Sequence, residues 1–286
     1  MRTSVWKPSR TSAESRLYSG TVANYRNHPE LISQLAQRTY DILIRLAEAI
    51  GVLNVENPET EKSWGANGNL DPNSVIARIE SVLGISIAPP QVYNGFCGLL
   101  TERGVITERM LSGLYTAWRL RTILEGNAAT RILEIGAGLG WVAYYAYRMG
   151  FTRYSIIDIP VTTLSQAWFL GNALGADTIR FFNESNDGSV TLGTSDMLGA
   201  ADTQYDMVVN VDSITEVGLP TATRLLSKLR GKCRQFLSIN HEVNDYTARS
   251  VITSELHPHI IHRHPCWLRN GYVEELAVLG QDICPV

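Results

Sequence analysis

The stretch Glu134-Ile135-Gly136-Ala137-Gly138-Leu139-Gly140 restricts this chain more than any other part of it. Arg131–Ile135 ahead of it reads as a short strand, and Trp141–Met149 behind it reads as a helix. Alternate glycines at a strand-to-helix junction let the backbone turn tightly and leave N–H groups exposed at the start of the helix. A Cβ at Gly138 or Gly140 would hold a ligand away from those groups. The next run, Tyr154–Ile157, ends in Asp158, where a carboxylate can accept hydrogen bonds from both hydroxyls of a ribose. Loop and acid together read as a nucleotide-type cofactor site.

The rest of the chain fits such a site. Further strands are expected at Ile179–Phe182, Met207–Val211, Phe236–Ile239 and Tyr272–Leu279, with helices at Thr162–Leu174 and at Thr221–Leu229, the latter opened by Pro220. This alternation predicts an α/β fold with a mostly parallel sheet covered by helices. Before residue 127 the pattern is helical. One amphipathic helix spans Leu31–Ile50, and a second opens at Asp71-Pro72 with Val75, Ile76, Ile79 and Val82 inward. A third covers Glu108–Leu124, with Gly126 as its C-cap. Two regions are expected, 1–126 (helical) and 127–286 (α/β). Residues 1 to about 25 read as a loosely ordered arm or a segment that packs on a partner.

Composition narrows the partners. A net charge of -3 offers no broad basic field for a nucleic-acid backbone, so a small-molecule acceptor is expected and no nucleic acid. The cysteines Cys97, Cys233, Cys266 and Cys284 form no C-x-x-C pair, which suggests neither a zinc knuckle nor a disulfide framework. No secretory signal or bilayer-spanning run is read, and a cytoplasmic location is expected.

A dinucleotide fingerprint G-x-G-x-x-G would need glycine at position 141, where the chain has Trp141. A nicotinamide-dependent oxidoreductase is therefore the weaker reading. The E-x-G-x-G-x-G order resembles motif I of class I S-adenosylmethionine-dependent methyltransferases. The blocks Ile132–Gly140, Ile157–Pro160, Val209–Glu216 and Leu237–Asn240 resemble, more closely, a bacterial family of sugar O-methyltransferases. Ile159 stands where that family has leucine, and His241-Glu242 follow Asn240 where a more basic residue is usual.

The resemblance implies a Rossmann-like methyltransferase sheet, mostly parallel with an antiparallel last strand. It implies S-adenosyl-L-methionine as cofactor and S-adenosyl-L-homocysteine as product. Residue by residue, Glu134 would help anchor the methionine end, Gly136, Gly138 and Gly140 would form the cradle, Asp158 would take the ribose, and Ile159 would border the adenine. Asp196 would contact the adenine, with Asn183 as the alternative, and the Asn210 backbone would face the cofactor's amino group. The helical region would cover the acceptor site, contribute to a homodimer, or do both.

Methyl transfer to a hydroxyl needs alignment and a group to take the proton. In a doubly wound sheet ligands gather at the carboxyl ends of the strands, which singles out Asn210–Glu216 and Asn240–Glu242. Asp212 and Glu216 either receive acceptor hydroxyls or serve as a turn cap and a solvated carboxylate. His241 is the candidate general base, oriented by Glu242 or Asp212. N-methylation of an amine and a cofactor-binding module without catalysis are the competing functions. The run His257–His264 carries four imidazoles but no accompanying metal motif, so it reads as a substrate-side loop and no metal is assigned. Tyr93, Phe96, Trp118 and Trp141 are candidates for an acceptor pocket or for the core.

Overall fold

A computed structural model describes residues 29–57, 59, 65–92, 97–185, 189–200 and 203–279. The N-terminal arm, Tyr93, Phe96 and Cys284 lie outside them. The chain divides into two compact units, Met1–Pro89 with Tyr93–Leu111, and Pro90–Val92 with Ser112–Val286.

In the first unit, α1 (Pro29–Ala49) packs on α2 (Pro72–Leu83). Asp71 caps α2 by accepting from the Ser74 N–H at 3.0 Å, Pro72 occupies its first turn, and Gly84 ends it in the left-handed region. Val75, Ile76 and Ile79 are buried, whereas Val82, expected inward, is exposed. A hairpin, β1 (Leu99–Thr101) and β2 (Gly104–Ile106), adds strand to a region that the sequence pattern reads as helical. Its three-residue strands are too short to carry a period-2 signal. Helix α3 (Glu108–Ile123) follows, ending before Gly126, whose φ is +68°.

The second unit is built on an eight-stranded sheet with the order β5-β6-β4-β3-β7-β8-β10-β9. Its strands are β3 (Ile132–Ile135), β4 (Tyr154–Ile157), β5 (Ile179–Phe181), β6 (Val190–Gly193), β7 (Tyr205–Val211), β8 (Cys233–His241), β9 (Ile260–Pro265) and β10 (Tyr272–Val278). The pairings from β5 across to β8 are parallel, and β10 runs antiparallel to both β8 and β9. This is a Rossmann-like α/β fold with the antiparallel last strand that was expected. The helices α4 (Trp141–Arg148), α5 (Pro160–Leu174), α6 (Met197–Ala200), α7 (Leu219–Ser227) and α8 (Ala248–Leu256) connect the strands.

Two strands differ from expectation. β6, which was not anticipated, pairs with β4 and pushes β5 to the edge. β9 occupies the histidine run, which is therefore a helix end, a connection and an edge strand rather than a substrate-side loop. Backbone pairing with β10 outweighs the polar side chains, and Pro265 is tolerated because an edge strand leaves one row of N–H groups unpaired.

Helix α3 is fastened to β10 by a buried polar group. Glu274, 1% exposed, accepts from the Tyr115 hydroxyl at 2.6 Å and pairs with Arg119 at 2.7 Å. Removing one partner of a buried ion pair leaves an uncompensated charge, at a cost of about 3 kcal/mol. Arg119→Met should therefore lower stability by that order, and Arg119→Lys by less, measured as the shift in urea midpoint at constant m-value.

Candidate active site

The glycine loop leaves β3 at its carboxyl end. Gly136, Gly138 and Gly140 all have positive φ, at +70°, +55° and +98°. At Gly136 a Cβ would collide with the Ser213 side chain, so glycine is required by contact as well as by conformation. At Gly138 the space is open, with no atom within 4 Å of where a Cβ would sit. This is the side from which a ligand can approach the backbone. Gly140 precedes α4, whose N-cap has no side-chain hydrogen bond.

Asp158 lies across from the loop, since β4 pairs with β3 in register Ile135↔Ile157. Its carboxylate accepts from the Ile159 N–H at 2.8 Å and from the Gln166 amide at 2.8 Å, and the Gly138 and Ala137 backbone lies beside it. Gln166 also donates to the Gly138 carbonyl at 2.9 Å. Burial raises the Asp158 carboxyl above its usual range, and these donated bonds oppose the rise. Ile159 begins α5 with its side chain 61% exposed beside this acid. Asp196 is exposed in the turn after β6, and the Asp158 N–H donates to Gly193 at the end of that strand. Asn183 follows the edge strand β5 instead, so Asp196 is the residue beside the strand adjoining Asp158.

Glu134 is placed differently from a residue facing the loop. It is 2% exposed and accepts from the Tyr154 hydroxyl at 2.9 Å. Burial pushes its carboxyl up to about 8, the Tyr154 hydrogen bond opposes this, and the Asp158 charge adds to it. Trp141 is 7% exposed and packs against Phe169 at 4.6 Å between ring centroids, so it belongs to the core.

The acceptor-side residues meet where β7 and β8 end. Asn210 is fully buried, and its side chain binds Ile135, Ser213, Ile214 and Asn240. Beyond it, Asp212, Glu216 and His241 present ligand atoms all within 4.8 Å of one another. The His241 Nε2 lies 3.7 Å from Glu216, and its Nδ1 is buried without a partner among the described residues. Glu216 thus takes the orienting place that was expected of Glu242 or Asp212. Successive strand residues point to opposite faces, so Glu242 turns away from His241 and pairs with Arg263 at 2.8 Å. Asp212 pairs with Arg269 at 2.8 Å. The guanidinium compensates the charge of one of these three groups. His257, His259, His262 and His264 form no such grouping among the described residues.

Arg269 and Tyr272 were not anticipated. They flank the β9–β10 turn, where Asn270-Gly271 is a hairpin signal that sequence reading could have used. A separate cavity of about 540 Å³ opens at the amino ends of the strands, lined by Arg131, Arg153, Arg180 and Tyr205 among others, and borders none of these site residues.

No known protein family matches the chain, and no curated protein matches it. Solved structures do. A magnesium protoporphyrin IX methyltransferase from Synechocystis PCC 6803 with bound S-adenosylmethionine is 16% identical, over 66% of this chain and 88% of that one, with a TM-score of 0.43. A glycopeptide N-methyltransferase complexed with S-adenosylhomocysteine is 17% identical, over 59% and 90%, with a TM-score of 0.45. An RNA methyltransferase from Salinibacter ruber, also in complex with S-adenosylhomocysteine, is 14% identical, over 59% and 93%, with a TM-score of 0.39. Among the described residues no helix is long and apolar enough to cross a membrane.

Glu134 gives the site a pH signature. Its folded value of about 8 lies above its ordinary 4.5, so between those values the folded chain holds a proton that the unfolded chain has lost. Stability from this group therefore falls as pH rises through that window and levels off above it. Glu134→Gln should remove the slope. Its Tm relative to the unsubstituted chain should be higher at pH 8 than at pH 5 in thermal unfolding, and equal offsets at both would count against the buried acid.

Proposed function

We propose that this protein is an S-adenosylmethionine-dependent methyltransferase that O-methylates a sugar or another hydroxylated small molecule. The observation that carries the reading is the loop Gly136–Gly140. It is left-handed at its three glycines, open at Gly138 and backed by Asp158, and it stands beside a cluster of Asp212, Glu216 and His241 on neighbouring strand ends. The residues fit the cofactor. The loop leaves room for a ligand against its backbone, and Asp158 would supply a carboxylate for the ribose, Ile159 and Asp196 would border the adenine, and the Asn210 backbone would face the amino group. Glu134 acts from below, through the buried start of the loop.

When bound, the cofactor supplies a methyl group on an activated sulfonium. The protein's task is then to align a hydroxyl and take its proton. Asp212 and Glu216 accept hydrogen bonds from acceptor hydroxyls. His241, facing Glu216, takes the proton on a ring nitrogen as the new C–O bond forms, and Glu216 stabilises the resulting imidazolium. His241 then returns its proton to solvent.

Calorimetric titration of the full chain checks the cofactor. S-adenosylhomocysteine should bind and NAD should not, and the reverse would replace this reading with an oxidoreductase. Asp158→Ala should weaken S-adenosylhomocysteine by about tenfold or more, the loss of roughly one charged hydrogen bond. His241→Ala should cut methyl transfer to a panel of monosaccharides and glycosides by about a hundredfold, with S-adenosylhomocysteine affinity nearly unchanged. Normal turnover would remove His241 from the role.

A further inference from the structure

The β9–β10 turn delivers a cation to the acceptor centre. Tyr272 pairs with His241 across β10 and β8, which sets the turn at the carboxyl end of β8. Gly271 takes a φ of +80°, and the Tyr272 N–H donates to the Arg269 carbonyl at 3.2 Å. Arg269 then reaches Asp212 with Nη2 at 2.8 Å, the two side chains being 18% and 13% exposed. Its guanidinium lies over the Tyr272 ring at 3.5 Å, and that ring meets the His241 imidazole edge to face at 5.5 Å. A continuous stack therefore runs from Asp212 through Arg269 and Tyr272 to His241 and on to Glu216.

Asp212 needs such a hold. Its φ of +64° is in the left-handed region, which costs a non-glycine residue about 1 kcal/mol, least for Asp and Asn. The Arg269 guanidinium, 2.8 Å from its carboxylate, supplies the compensating charge. The pairing also divides the centre. Asp212 is charge-compensated by a guanidinium, while Glu216 faces the imidazole.

We infer that Arg269 is the positioning residue of the acceptor centre: it holds Asp212 as a compensated hydrogen-bond acceptor, so that proton removal falls to His241 and Glu216. This rests on the methyl-transfer reading. A lysine supplies the charge that pairs with Asp212, whereas methionine supplies only bulk. Facing the His241 ring are Asp212 and Glu216 from the loop after β7, each with a carboxylate oxygen within 4.8 Å of a ring nitrogen, and Tyr272 from β10, with Arg269 behind Asp212 and Tyr272, while Glu242 is turned to Arg263.

The test is a histidine NMR titration of the full chain, with the His241 ring assigned from H241N, in the native protein, R269M, R269K and D212N. Loss of a nearby cation should raise the His241 midpoint in R269M by about half a pH unit, and R269K should restore the native midpoint. D212N removes the anion and should lower the midpoint, which keeps the test decisive if R269M does not fold. An unchanged midpoint in both R269M and D212N, or an R269K shift equal to that of R269M, would overturn the proposal. Methyl transfer to the glycoside panel should show kcat falling in R269M more than KM changes. S-adenosylhomocysteine titration of the same samples separates the two readings. A native chain that does not bind it sinks the cofactor reading and leaves the charge coupling standing.

Discussion

The carboxyl edge of the sheet is registered by one buried amide. The Asn210 Nδ2 donates to the Ile135 carbonyl at 2.8 Å, and its Oδ1 accepts from Asn240 at 2.9 Å and from the Ile214 N–H at 3.2 Å. Those partners belong to the end of β3, to β8 and to the loop after β7, so one side chain fixes three chain segments at one level. Without it, the Ile214 N–H would lose its partner in the interior, at about 1–3 kcal/mol for an unsatisfied group. Ser213 extends the brace by donating to the same Ile135 carbonyl at 3.0 Å, and it fills the space that a side chain at Gly136 would need. The start of the glycine loop and the loop bearing Asp212 and Glu216 are therefore set by the same contacts. A shift in either would move both.

A second constraint acts on the last strand. Glu274 and Glu275 are both buried in β10 and point to opposite faces, where each meets a different arginine. Arg119 of α3 takes Glu274 at 2.7 Å, and Arg263 of β9 takes Glu275 at 2.8 Å. A one-residue slip of β10 would leave both carboxylates facing the wrong side, so the acids specify register as well as charge balance. Register matters because Tyr272 must lie opposite His241 for the following contacts with Arg269 to form.

The glycine loop and Asp158 were legible in the sequence because their information is local: alternate glycines and an acid that closes a strand. Helix α2 was legible for the same reason, through Asp71 and Pro72. The clustering of Asp212, Glu216 and His241 was readable only as proximity of strand ends, and the 3.7 Å approach of Glu216 to His241 was not. Side-chain parity was the missing step, since Glu242 points away from His241. The same step applies to Glu134, which lies within the motif in sequence yet faces Tyr154 in the interior. β6 was missed because Val190–Gly193 is four residues long, and β9 because histidine and arginine mask a strand whose signal is the Asn270-Gly271 turn after it.

Asp158 shows why the loop holds its shape. The Asp158 carboxylate accepts from the Ile159 N–H and from the Gln166 amide, both at 2.8 Å, and lies beside the backbone of Ala137 and Gly138. The acid thus acts as an internal anion that organises the loop, and Gln166 locks it by bonding both the carboxylate and the Gly138 carbonyl. A ligand hydroxyl entering from the open side at Gly138 would meet a carboxylate that is already oriented, so little ordering would remain to be done. It would also compete with Gln166 and the Ile159 N–H for the lone pairs of that carboxylate.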